Sequence, residues 1–182
     1  MRRCTRRQRP SVTPQPYVVR LRRHLQQLTV ALRHYPDLVD VLWLYDRAML
    51  SNSSRDLLLE AAIGLERLLV QGSGENARRF RQYGAAIIYD ANPPEVERNL
   101  KRIYNLRSKA AHEGGRHAKA FEDLGILARS YLGRAIEGVT RLVAASSIAP
   151  SGRSINEAIE QYLISVMRTA TQAALRASTC DP

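Results

Sequence analysis

Apolar residues recur at spacings of three and four along most of this chain, and that periodicity restricts the fold more than any other feature. Such spacing places side chains on one face of an α-helix, whereas a half-buried strand alternates apolar and polar residues. No segment has that alternation. We therefore predict an all-α fold, a helical bundle with short connections. The first apolar stripe consists of Val18, Leu21, Leu25, Leu28 and Leu32.

Proline, glycine and capping residues divide the periodic pattern into helices. Pro36 ends the first helix, and Asp37 can cap the second. Pro93 lies at the first turn of a later helix, where its missing N–H costs nothing. The segment from Asp56 to Val70 is the most apolar, so we expect it to form the central core helix, with Gly64 allowing a neighbouring helix to approach closely. The expected helices are about 17–35, 38–50, 56–70, 75–90, 93–112, 121–143 and 154–177.

Composition suggests four parts in the chain: residues 1–16 as a disordered basic arm, 17–36 as an N-terminal helix, 37–149 as the main helical domain and 150–182 as an extra C-terminal helix and tail. The net charge is +11, but residues 1–35 contain nine arginines and no acid. The remaining 19 basic and 17 acidic residues nearly balance. A flexible basic arm attracts polyanions such as RNA; a solvated tail is the alternative.

Two cysteines, Cys4 and Cys180, lie in the polar terminal segments. They indicate neither a disulfide framework nor a cysteine-based metal site. No apolar run reaches the roughly 18 residues of a membrane span, and no signal peptide pattern follows the arginine-rich start. We expect a cytoplasmic protein without a membrane partner. We also expect no metal and no cofactor, because HExxH and phosphate-loop motifs are missing from the sequence.

The segment from Tyr104 to Gly115 has the densest set of reactive side chains, with Arg107, Ser108, Lys109 and His112 within six residues. It falls at the predicted end of a helix, since two glycines follow. On an ideal helix Arg107 and His112 lie about 140° apart, while Ser108 and His112 share a face. Either the helix ends here, or a second copy of the segment completes a site.

An arginine five residues before a histidine is a weak signal by itself in a chain with this many arginines. The surrounding landmarks strengthen it: they are residues 55–59 (RDLLL), 64–69 (GLERLL), 79–80 (RF) and 106–114 (LRSKAAHEG). With these landmarks the chain resembles the HEPN domains, in particular their Apea-like branch, from about Asp37 to Val143. Members of that family have an Arg-x4-6-His motif at a helix end, usually with a polar residue after the arginine.

The resemblance implies a homodimer that acts as a metal-independent endoribonuclease in phage defence or toxin–antitoxin growth arrest. An antitoxin or a larger defence-system partner would then be a further partner besides RNA. Within the motif, His112 would act as acid or base, Arg107 would bind the phosphate, and Ser108 would orient the histidine or bond the phosphate. Lys109, Tyr104 and Arg79 would contact substrate, and Glu66 would support Arg107.

Simpler interpretations exist for each of these residues. Arg107, Lys109 and His112 also compensate the dipole at a helix C-terminus. Tyr104 can pack, and Glu66 can be an exposed or locally paired carboxylate instead of a partner of Arg107. Arg79 belongs to a basic run that is typical of a solvated helix face. Correspondingly, the alternative function is a non-catalytic HEPN module that binds RNA, a nucleotide or a partner protein.

Overall fold

The computed structural model describes residues 16–70, 75–88, 92–112, 118–145 and 159–165. Every regular element in these ranges is an α-helix, which confirms the predicted all-α class. Residues 159–165 form a further helical segment, within the predicted C-terminal helix. The six helices with assigned ends are α1 (Pro16–His34), α2 (Leu38–Leu50), α3 (Ser54–Leu69), α4 (Asn76–Ile87), α5 (Pro93–His112) and α6 (Ala118–Ala145).

Local capping explains where several helices begin. The Ser53 side chain accepts a hydrogen bond from the backbone N–H of Asp56 at 3.3 Å, and α3 therefore starts slightly before the predicted position. At the start of α5 the Asn92 amide donates to the Glu95 carboxylate at 2.9 Å, with proline at the first helical position. The predicted cap at Asp37 is wrong, because its backbone is already helical and its side chain makes no capping bond.

Helix α3 is the central element of the core, as its apolar sequence predicted. Its residues Leu58, Leu65 and Leu68 are completely buried, and it packs against α2, α5 and α6. Gly64 allows the close approach of α6, since a Cβ atom at that position would lie 2.7 Å from Leu132 Cδ2. The side chains of α3 are consequently attached to the central element of the core.

Helix α5 packs against α3, α4 and α6 through one apolar face. The helical spacing of four apolar residues in the sequence predicts this face, and all four are buried: Val96, Leu100, Ile103 and Leu106. This burial fixes the rotation of the helix about its axis, and it leaves the polar side of α5 in solvent. No helix in the described ranges has the length and apolar character needed to cross a membrane.

Two expectations fall largely or partly outside the described residues. The predicted basic arm, residues 1–16, lies outside the described residues except for Pro16, the first residue of α1. The predicted C-terminal helix is represented by the segment 159–165, whose first residue, Ile159, is fully buried in the core.

Candidate functional site

The end of α5 carries the predicted motif. The helix ends at His112, so Arg107, Ser108 and Lys109 lie in its last two turns, as the sequence predicted. The His112 side chain and residues 113–117, which include both glycines, are outside the described part of the structure. The geometry of the site is therefore given by the residues before His112 and by their neighbours on α3.

Arg107 forms an ion pair with Glu66 of α3. The distance from Arg107 Nη2 to Glu66 Oε2 is 2.6 Å, and the two side chains are 34% and 21% exposed. The structure thus contains the pairing that the sequence left open for Glu66. A guanidinium group has five N–H donors, and this contact occupies one end of the fork. The carboxylate fixes the arginine in position while a third of its side chain stays accessible.

Arg55, in the first turn of α3, makes a second connection to the motif helix. Its Nε and Nη2 atoms donate to the carbonyl oxygen of Ala110 at 3.0 and 2.7 Å. Ala110 belongs to the last four residues of α5, whose carbonyls have no partner within the helix and carry the negative end of its dipole. Arg55 satisfies one of these carbonyls and offsets part of the negative end of the helix dipole.

Sequence reasoning assigned no role to Arg55, although the residue was among the landmarks of the family resemblance. Ala110 is 55 positions away along the chain, and no local pattern links an arginine to a specific backbone carbonyl at that separation. The available signal was the position of Arg55 in the first turn of a helix, two residues after the N-cap Ser53 and on the same helix as Glu66.

Ser108 and Lys109 are both exposed. Within the described ranges Lys109 forms no salt bridge, and it lies two positions after Arg107, so the two side chains point to different sides of α5. The junction between α3 and the end of α5 thus contains two cations, Arg55 and Arg107, together with the carboxylate of Glu66.

Tyr104 and Arg79, the other predicted substrate contacts, have partners elsewhere. The ring of Tyr104 lies 5.3 Å from the ring of Phe80 at an angle of 57°, which corresponds to the packing interpretation. Arg79 Nη2 lies 3.7 Å from Glu160 in the segment 159–165. The structure therefore brings Glu66 to Arg107, whereas these contacts associate Tyr104 with the core and Arg79 with the C-terminal segment.

No protein-family model matches the chain, and no curated protein or solved structure matches it significantly.

Among the described residues, no group of three or more histidine, cysteine, aspartate or glutamate side chains could hold a metal ion. What these residues provide instead is a set of nitrogen donors: the guanidinium of Arg107 and the ammonium of Lys109. Groups of this kind bind phosphate oxygens and stabilise negative charge that develops during a reaction.

Proposed function

We propose that this chain is an endoribonuclease of the HEPN type, which cleaves RNA as a homodimer without a metal ion. The observation that carries the proposal is the Glu66–Arg107 pair, because it holds a permanently charged guanidinium group at the end of α5 and leaves part of it accessible. Arg55 supports the proposal by compensating a carbonyl that would otherwise repel phosphate. The motif spacing and the family landmarks supply the reaction type.

In the proposed reaction the 2′-hydroxyl oxygen of one nucleotide attacks the adjacent phosphorus. The bond from phosphorus to the 5′-oxygen breaks, which leaves a 2′,3′-cyclic phosphate and a 5′-hydroxyl end. One group must take the proton of the 2′-hydroxyl, and another must protonate the leaving oxygen. An imidazole suits both tasks near neutral pH, and His112 of each protomer in a dimer would supply one of them.

The phosphorane-like transition state gains negative charge on its non-bridging oxygens. Arg107 would offset that charge with a bidentate contact, and Lys109 would add a point charge. Ser108 would bond a phosphate oxygen or orient the imidazole. In a cell, such an activity would serve phage defence or growth arrest, where an antitoxin or a larger defence system would control it.

The test is incubation of purified protein with labelled single-stranded RNA and transfer RNA in excess EDTA. We expect cleavage by the wild type and a loss of about 100-fold or more in Arg107→Ala, which corresponds to removing one preorganised charge contact. Arg141→Ala is the matched control, since Arg141 is an exposed arginine whose partner, Glu137, lies on the same helix. Absence of wild-type cleavage across several RNAs, or full activity in Arg107→Ala, would contradict the proposal.

A further inference from the structure

The outward face of α5 carries a line of cations that leads to the motif. Arg98, Lys101, Arg102 and Lys109 are all exposed, and their spacings of three, four and seven place them on one side of the helix. We call these four residues the α5 track. From the first to the last, the track extends over about 16 Å at the helical rise per residue. Asn105 and Ser108, both exposed and polar, lie between its members.

The charges of the track are not compensated by neighbouring acids. Four other exposed arginines do pair with acids: Arg47 with Glu60, Arg67 with Asp40, Arg78 with Glu75 and Arg141 with Glu137. Within the described ranges none of the four track residues forms a salt bridge.

The acids of α5 itself do not neutralise the track. Residues 98–112 contain no aspartate or glutamate. Glu95 and Glu97 precede that stretch; the first accepts a hydrogen bond from Asn92, and the second lies 3.9 Å from Arg81 of the neighbouring helix. Like charges three and four residues apart destabilise a helix. The helix therefore tolerates an unfavourable arrangement that a bound polyanion would convert into a favourable one.

The chemistry of the face indicates which partner would fit. In the described part of α5 no large hydrophobic side chain is exposed. Membrane-surface helices and protein interfaces both require apolar or aromatic anchors, which this face lacks. A phosphate backbone needs only positive charge and hydrogen-bond donors, arranged along a line. We propose that the α5 track binds the phosphate backbone of single-stranded RNA and directs the strand toward Ser108 and Lys109, the motif residues that lie on the same side of the helix.

This inference rests on the proposed function, because Lys109 belongs to both the track and the motif. It goes further by naming the surface that holds the substrate outside the reacting phosphate. Recognition by such a surface is independent of base sequence, since the contacts are to phosphates. The 2′-hydroxyl groups of RNA can add hydrogen bonds to Asn105 and Ser108.

The test is a binding measurement with a fluorescent 2′-O-methyl RNA strand, which lacks the attacking hydroxyl and cannot be cleaved. Binding constants are measured by anisotropy over a range of salt concentrations. The variant is Arg98→Gln/Lys101→Gln/Arg102→Gln, and the matched control is Arg20→Gln/Arg22→Gln/Arg23→Gln on α1, where the three arginines are also exposed. Both variants lose three positive charges, so net charge is the same in the two proteins.

We expect the slope of log K against log salt to decrease by about 2 in the track variant, because each phosphate contact on a single strand contributes about 0.7. We also expect binding at low salt to weaken by about tenfold or more, with a much smaller change in the α1 control. Equal losses in the two variants would overturn the proposal, since net charge would then account for binding. Equally tight and equally track-dependent binding of a DNA duplex would overturn single-stranded RNA as the ligand.

The two proposals fail in different ways. If natural RNA is not cleaved but the 2′-O-methyl strand binds through the track, the proposed RNA-binding surface is supported and the proposed nuclease activity is contradicted. If natural RNA is cleaved and the track variant retains the wild-type salt slope and KM, the nuclease proposal is supported and the binding role of the track is contradicted. Thermal unfolding of each variant is the control that checks whether the substituted proteins remain folded.

Discussion

At the scale of single residues, Glu66 determines the geometry of Arg107. Both side chains are partly buried, and their contact joins the central core helix to the motif helix. An arginine tethered in this way loses less conformational freedom when it binds a phosphate than a free side chain would. In the proposed reaction the carboxylate would act through Arg107, and we expect its removal to affect the position of the guanidinium more than the stability of the fold.

We expect Glu66→Gln to reduce kcat for RNA cleavage by about 10- to 100-fold, the loss that a small misplacement of a catalytic group produces. The cost in unfolding free energy is about 1 kcal/mol or less for a partly exposed pair. Glu60→Gln is the matched control, because Glu60 is on the same helix and pairs with Arg47 outside the motif. If both variants lose activity equally, Glu66 has only a structural role.

Tyr83 provides a prediction about pH. Burial, together with the hydrogen bond that it donates to Glu160, raises the pKa of Tyr83 to about 12 from its ordinary value of 10.0. Because the folded protein holds this proton more tightly than the unfolded chain, the associated stability is complete below pH 10.0 and is lost as the pH rises toward about 12. We expect Tyr83→Phe to lose less stability than the wild type between these two pH values in urea titrations. An identical pH dependence would contradict the assignment.

At the scale of elements, α3 contacts the motif helix from both of its ends. Arg55 in its first turn bonds the Ala110 carbonyl, and Glu66 near its last turn bonds Arg107. These two connections restrain the position of the last turns of α5 relative to α3. The site is therefore assembled by helix packing, and its side chains depend on elements distant in sequence.

We expect Arg55→Ala to lower the free energy of unfolding by about 1.5 to 3 kcal/mol, the usual contribution of a hydrogen bond to a charged group. Cleavage should fall as well, because an unsatisfied carbonyl then faces the phosphate. Arg55→Lys keeps the charge and one donor but loses the fork, and it should give intermediate values. Urea denaturation and cleavage rates measure the two effects; wild-type values in Arg55→Ala would contradict this role.

Alanine substitutions at two glycines of α6 test how closely the helices pack. A Cβ atom at Gly138 would collide with the backbone carbonyl oxygen of Ile87, whereas at Gly133 it would meet the end of the Tyr45 side chain at 3.2 Å. We expect Gly138→Ala to destabilise the protein by about 1 to 3 kcal/mol through overpacking. Gly133→Ala should be neutral or stabilising, because alanine favours a helix by up to about 1 kcal/mol over glycine. Equal unfolding midpoints for the two variants would contradict the packing described here.

At the scale of the whole molecule, the sequence predicted what local periodicity determines. The all-α class, the central position of the Asp56 to Val70 segment and the buried face of α5 all follow from apolar spacing, and the structure confirms them. The observed ends of some helices differ from the predicted ends by a few residues because capping determines them; α3, for example, begins directly after the N-cap Ser53. The link between Arg55 and Ala110 was not predictable, since it depends on how two helices cross. The α5 track was likewise overlooked, because free charges are distinguished from paired ones only after neighbouring helices are placed.

We propose that the motif at the end of α5 promotes attack by the 2′-hydroxyl of the RNA on the adjacent phosphate. The most direct measurement is end-group analysis of RNA incubated in excess EDTA with the wild type and with His112→Ala, after confirming by sedimentation that both are folded dimers. We expect 2′,3′-cyclic phosphate and 5′-hydroxyl ends from the wild type, and no products above background from the variant. Products with 5′-phosphate ends, or undiminished cleavage by His112→Ala, would contradict the account.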